Sequence, residues 1–149
     1  MPDLKAETAY LHRHIPATAF MQVVVSAYDE SGLQLNAPLA PNINHQQTVF
    51  GGSAASLATL ACWTLIHIRL SELPFLSNIV IRRSQMQYDQ PIDADFSAFC
   101  SAPATADWQR FLDDLNTKDK ARITLHSSLF CHEQKTADFS GEFVALKQK

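Results

Sequence analysis

Residues 53–70, SAASLATLACWTLIHIRL, contain no Asp or Glu. Drawn as a helix, the segment is apolar on nearly every side, with Ser53, Ser56, Thr59, Thr64, His67 and Arg69 as its polar positions. Such a helix must be covered over most of its circumference, by lipid or by protein. Eighteen residues approach the length of a membrane span, but the alanines suit close packing against protein and Pro74 follows soon after. We read a central core helix over residues 52–72, with no membrane partner.

The covering is legible in the alternation elsewhere. FMQVVVSAYDESGLQLNAPL carries Val23, Val24 and Val25, turn chemistry over residues 29–32, and Leu33 and Leu35 alternating with polar neighbours, which is the pattern of a β-hairpin. NIVIRRSQMQYDQPI reads as a long strand with a bend at Asp89-Gln90-Pro91. DADFSAFCSAP places Phe96, Ala98 and Cys100 on one face. ARITLHSSLFCHE places Ile123, Leu125, Leu129 and Cys131 on one face and His126, Phe130 and His132 on the other, and ADFSGEFVALK is the last strand. AETAYLHRHIPATAF predicts a short helix ending near Pro16, and DWQRFLDDLNTKDK an amphipathic one with Trp108, Phe111, Leu112 and Leu115 inward. The expected class is α+β, with an antiparallel sheet of about six strands wrapped around the long helix. With 149 residues and no repeat or linker, residues 1–149 form one domain.

A net charge of −3 without a basic run argues against a nucleic-acid partner. Cys62, Cys100 and Cys131 are odd in number and lack Cys-x-x-Cys spacing, which argues against a disulfide framework or structural zinc and for a cytoplasmic setting. The acidic N-terminal stretch lacks the pattern of a secretion signal.

Immediately before the apolar helix stands PLAPNINHQQTVFGGS, residues 38–53. Its Gly51-Gly52 pair has two readings. It can simply make the loop-to-helix turn, with Ser53 or a neighbour as N-cap. Alternatively, glycines without Cβ let a substrate carbonyl approach the unpaired N–H groups of a helix N-terminus.

With this order of elements, the chain resembles the hot-dog fold. APLAPNINHQQTVFGGSAASLATLACW is similar to the thioesterase domain found at the C-terminus of some bacterial acetyltransferase fusions, and the later strands continue the likeness over most of the chain. The resemblance implies a homodimer or tetramer that binds acyl-CoA or acyl-carrier-protein thioesters in a tunnel between subunits. It favours the second reading of the glycines, an oxyanion hole at Gly51 and Gly52, and implies no cofactor. Related hot-dog thioesterases commonly carry an Asn, a His-Gly-Gly six residues on, and an acid in the helix. Here Asn44 and Gly51-Gly52 match, but Phe50 holds the His position and Thr59 the acid position.

Hydrolysis needs a group that activates or positions water. Asn44 and Thr59 are the expected water-positioning residues, although Asn44 also suits a turn and Thr59 a bond to the preceding turn. His45 has the pKa range of a base, and Asp89, Asp93 or Asp95 could reach the site from elsewhere. Asn42, His45, Phe50, Gly52, Ser53 and Trp63 are expected to line the substrate site. Arg82 and Arg83, adjacent in a strand and so on opposite faces, offer one cation to a phosphate. Cys62 and Ser56 have no activating base beside them and read as packing residues. Neither His12 with His14 nor His126 with His132 can share a metal, and no metal site is expected. The expected activity is thioester hydrolysis. A binding module without turnover is the alternative, followed by a hydratase or dehydratase.

Overall fold

A computed structural model describes residues 1–149. The apolar segment is α3 (Gly51–Leu70), with ten of its 20 residues buried, among them Leu57, Ala61, Leu65 and Ile66. Alanine and leucine are strong helix formers, and the small alanines let a sheet approach closely. Before it come α1 (Leu4–His14), α2 (Pro16–Phe20), β1 (Val24–Asp29) and β2 (Gly32–Ala37). After it come β3 (Ser77–Tyr88), β4 (Phe96–Ser101), α4 (Thr105–Lys118), β5 (Lys120–Cys131) and β6 (Gln134–Lys147). The six strands form one sheet in the order β1-β2-β4-β5-β6-β3, every neighbouring pair antiparallel.

The sheet curls around α3 and buries its period-two face. In β5 the odd-numbered residues from Ala121 to Cys131 are buried, opposite Phe143, Phe139 and Ala137 of β6. Fully burying one such leucine or phenylalanine is worth about 1.5–3 kcal/mol. Ser127 adds a polar tie, its Oγ donating to the Ala58 carbonyl at 2.9 Å. Phe111 and Leu115 of α4 close the core from the side. The sheet leaves one stripe of α3 open, along Gly52, Ser56, Thr59, Trp63 and His67.

The two sheet edges differ. At β1, α1 lies alongside, with Val25 N donating to Thr8 Oγ1 at 2.9 Å, and a bulge falls between Val25 and Ala27. Twelve-residue β3 has no strand on its outer side, and Val80, Ile81 and Tyr88 are exposed along it.

α1 ends just before Pro16 as expected, and Pro16 then occupies the first turn of α2, where its missing N–H is harmless. The long strand ends at Tyr88, at the bend expected over Asp89-Gln90-Pro91. Two local expectations need correction. His132 lies in the β5–β6 turn with φ 52°, not on a strand face. Arg82 and Arg83 do not face opposite sides. The β3–β6 register steps from Ile81 opposite Phe143 to Arg83 opposite Glu142, so Arg82 is the extra residue of a bulge and its Nη1 donates to Glu142 Oε1 at 2.8 Å. Arg82, followed by Arg122 and Arg83, holds the Glu142 carboxyl below its ordinary pKa, and Glu142 alternates with the buried Gly141 and Phe143, so it lies on the face away from α3.

Candidate active site

The loop between β2 and α3 is built by its asparagines. Asn42, 2% exposed, ends a short 3-10 turn (Ala40–Asn42) and donates from Nδ2 to the carbonyls of Met21 and Pro38 at 3.0 and 2.8 Å. Its own carbonyl accepts from Phe50 N at 2.8 Å. Asn44 Oδ1 accepts from the backbone of Gln46 and Thr48 at 2.8 and 3.2 Å, while its Nδ2 donates to Thr48 Oγ1 at 2.9 Å. The Asn44 amide is spent on the loop, and Asn42 ties the loop to Met21 and Pro38 through Nδ2 while its buried Oδ1 has no partner, so both hold the segment that delivers Phe50 and Gly51. His45 projects from the same loop, exposed.

This loop delivers the chain to α3 without a side-chain cap. Phe50 is the N-cap residue, with φ −56° and ψ 131°, and Ser53 makes no capping bond. The first backbone donor used is Ala54 N, to the Phe50 carbonyl at 3.0 Å. The N–H groups of Gly51, Gly52 and Ser53 are left over, at the positive end of a 20-residue helix. Gly51 adjoins a cavity of about 230 Å³ whose lining also includes Ala54, Tyr88, Asp89, Gln90 and Ile92. Tyr88 donates from its hydroxyl to the Gly51 carbonyl at 3.1 Å, fixing that peptide. Phe50, 59% exposed, forms an apolar lip beside Gly52, where any Cβ would overlap its ring.

α3 has no acid of its own, and the nearest candidate on this cavity is at the end of β3. Asp89 lines the cavity, its Oδ1 accepting from Gln87 Nε2 at 2.9 Å and its N–H bonded to the Thr136 carbonyl. Of the other two acids, Asp95 accepts from Leu39 N at 2.9 Å and Asp93 pairs with His132. Tyr88 carried no sequence signal of a site, and only its position at a strand end before Asp-Gln-Pro hinted at exposure.

Other expected residues lie further off. Thr59, two turns into α3, donates from Oγ1 to the Ala55 carbonyl at 2.8 Å and keeps its acceptor lone pairs toward the open stripe. Trp63 is twelve positions beyond Gly51, roughly 18 Å along the helix. Its Nε1 donates to the Ile79 carbonyl at 3.1 Å, and its ring stacks on His67, which stacks in turn on Tyr10. These rings line a second cavity of about 610 Å³ beside β3. Arg82 and Arg83 are on the opposite face of the sheet, away from both cavities.

His67 Nε2 lies 3.6 Å from Glu7 Oε2, yet this is no ion pair near neutral pH. Burial and then His14 hold the imidazole below its ordinary value of 6.5, and burial followed by Asp3 pushes Glu7 up. The folded protein therefore keeps His67 neutral where the unfolded chain takes a proton. That contribution to stability is complete above 6.5 and is lost as the pH falls toward the lowered folded value. His67→Phe, which keeps the stacking, is expected to lose less stability than the native protein between about pH 7.5 and 5.5 in urea unfolding. Equal losses would contradict a buried neutral imidazole.

Comparison with known proteins gives the family and the fold. Residues 4–147 match the family described as "Putative thioesterase (yiiD_Cterm)". The chain belongs to this family. A protein of unknown function from Chlorobaculum tepidum is 31% identical, covering 97% of this chain and 94% of its own, with a TM-score of 0.91. A protein from Shewanella oneidensis named a putative thioesterase is 29% identical over 96% of each chain, with a TM-score of 0.83. A Haemophilus influenzae thioesterase, 10% identical with a TM-score of 0.72 over 99% of this chain and 92% of its own, speaks to the fold alone. The family and the hot-dog fold expected from residues 38–63 are thus both found.

Proposed function

We propose that this protein hydrolyses an acyl thioester of coenzyme A or acyl carrier protein at the N-terminus of α3. The observation that carries it is the trio of unpartnered N–H groups at Gly51, Gly52 and Ser53, the first of which lines a cavity that Asp89 also lines. The substrate carbonyl oxygen sits on the Gly51 and Gly52 N–H groups, and the glycines allow that approach. Asp89 takes a proton from water, which attacks the carbonyl carbon, while Thr59 holds a water further along the stripe. The tetrahedral oxyanion is stabilised by the N–H donors and the helix dipole, roughly 3 kcal/mol per donor. Collapse breaks the carbon–sulfur bond, and the departing thiolate takes up a proton. Phe50 meets the acyl chain at the mouth.

A second copy of the chain completes the site. An edge strand of twelve residues with Val80, Ile81 and Tyr88 exposed is an invitation to pairing, unlike β1, which α1 covers. Antiparallel β3–β3 pairing brings the Tyr88 end of one strand, with its Gly51, toward the Ile79 end of the other, with Trp63 and the larger cavity. The acyl chain then runs into that cavity.

The test is thiol release from short, long and aromatic acyl-CoA esters and their carrier-protein equivalents, with mass measured by light scattering. Turnover by a dimer or tetramer is the expected result. Ligand-induced thermal stabilisation without any thiol release would overturn hydrolysis in favour of the binding module.

A further inference from the structure

The β5–β6 hairpin closes through His132-Glu133, its last pair being Cys131 opposite Gln134. Both turn residues have left-handed backbones, φ 52° and 63°. Two-residue hairpin turns of this kind favour Asn-Gly, whereas a His-Glu pair sits there under strain. Turn chemistry therefore does not explain the histidine. What the turn achieves is to hold the imidazole over the β3–β4 loop. His132 Nε2 lies 2.9 Å from Asp93 Oδ1, and the Sγ of buried Cys131 lies 3.8 Å from the same oxygen. One ligating atom from each of these residues falls within 4.8 Å of the others. A tetrahedral ion with bonds of about 2.0–2.3 Å sets its ligands roughly 3.3–3.8 Å apart, so small side-chain shifts bring all three onto one centre.

We propose that Asp93, Cys131 and His132 bind a divalent cation of the zinc type, with the fourth position open to solvent. The donor set selects the ion. A thiolate and an imidazole suit zinc or cobalt, whereas magnesium and calcium prefer oxygen alone. On binding, the Cys131 thiol, which donates to Asp93 in the free protein, releases its proton to solvent, and His132 coordinates as the neutral imidazole. The thiolate and the carboxylate then cancel the two charges of the ion. The ion ties the hairpin tip to the loop that carries Asp89 and Ile92, and the Ile92 carbonyl accepts from Val49 N at 2.8 Å just ahead of α3. Sequence spacing pairs His132 only with distant His126, so this cluster is visible only once the β3–β4 loop is placed.

The test is titration of the chelator-treated full chain with Co2+, independent of any hydrolytic activity. Binding of one ion per chain, with thiolate-to-cobalt charge transfer displaced by Zn2+, is the expected result. His132→Asn keeps a residue at ease with positive φ and removes the ligand. It is expected to weaken binding by at least ~10-fold, the smallest effect seen even for outer partners of a metal site. Cys131→Ser is expected to abolish the charge-transfer band, and Asp93→Asn serves as the second variant if burial of Cys131 makes that protein fold poorly. No such band in the native protein, a band that survives Cys131→Ser, or native affinity in His132→Asn and Asp93→Asn would each overturn the site.

Discussion

Gly51→Pro is expected to fold normally and to release thiol about 10²–10³-fold more slowly in kcat, the effect of deleting one oxyanion donor. Gly51 is the first residue of α3, the helical position that tolerates proline best because its N–H has no partner in the helix. Phe50 already has the extended backbone that proline demands of its predecessor. A Cβ at Gly51 would lie 3.7 Å from the Tyr88 ring, an ordinary contact. The fixed φ also removes freedom from the unfolded chain, worth about 0.4–1 kcal/mol of stability. Gly51→Ala is the matched control, since it adds the same Cβ but keeps the N–H. The ratio of kcat/KM between the alanine and proline variants then reports the donor and little else. Equal rates in the two would remove Gly51 from the oxyanion hole and leave the role to Gly52.

A Gly32→Ala protein is expected to lose about 3 kcal/mol or more of unfolding free energy. Gly32 begins β2 with φ 151°, a backbone conformation that side-chain-bearing residues rarely adopt. Its Cβ would overlap the Cys100 carbonyl oxygen and press to 2.8 Å from the Phe99 ring. That carbonyl cannot move aside cheaply, because Leu33 and Cys100 are ladder partners in the β2–β4 pair, both strands lying inside the sheet. Urea unfolding at constant m-value is the measurement. Because the strain is local to the hairpin, thiol release by the folded fraction should match the native protein. A loss below about 1 kcal/mol would mean that the hairpin can shift register here.

What could be read from the sequence was whatever local pattern decides. An eighteen-residue stretch without an acid fixes a central helix, and the odd-numbered apolar residues of β5 fix its buried face. Failures arose where non-local pairing overrides period. Arg82 and Arg83 share a face because β6 pairs past one of them, which no alternation rule inside β3 can reveal. Pro16 carries the same local signal whether it stops a helix or starts the next. Asn44 bonds within its own loop and Thr59 donates to the preceding turn, two bonds that spacing alone leaves open beside a water-positioning role. Asp89 is far from Gly51 in sequence and reaches its cavity only because β3 is a sheet edge whose end packs beside α3. The site is thus half local, in the Gly-Gly turn, and half a product of topology.

The most direct measurement is the carbonyl stretch of a bound substrate analogue. An acyl-CoA ketone in which methylene replaces the thioester sulfur cannot be hydrolysed, and a 13C label isolates its carbonyl in the infrared. A shift to lower frequency on binding, reduced in Gly51→Pro relative to Gly51→Ala, is the result expected if the N–H groups of α3 polarise the carbonyl. A bound analogue whose stretch matches that in water, or shifts equally in both variants, would contradict an oxyanion hole at Gly51.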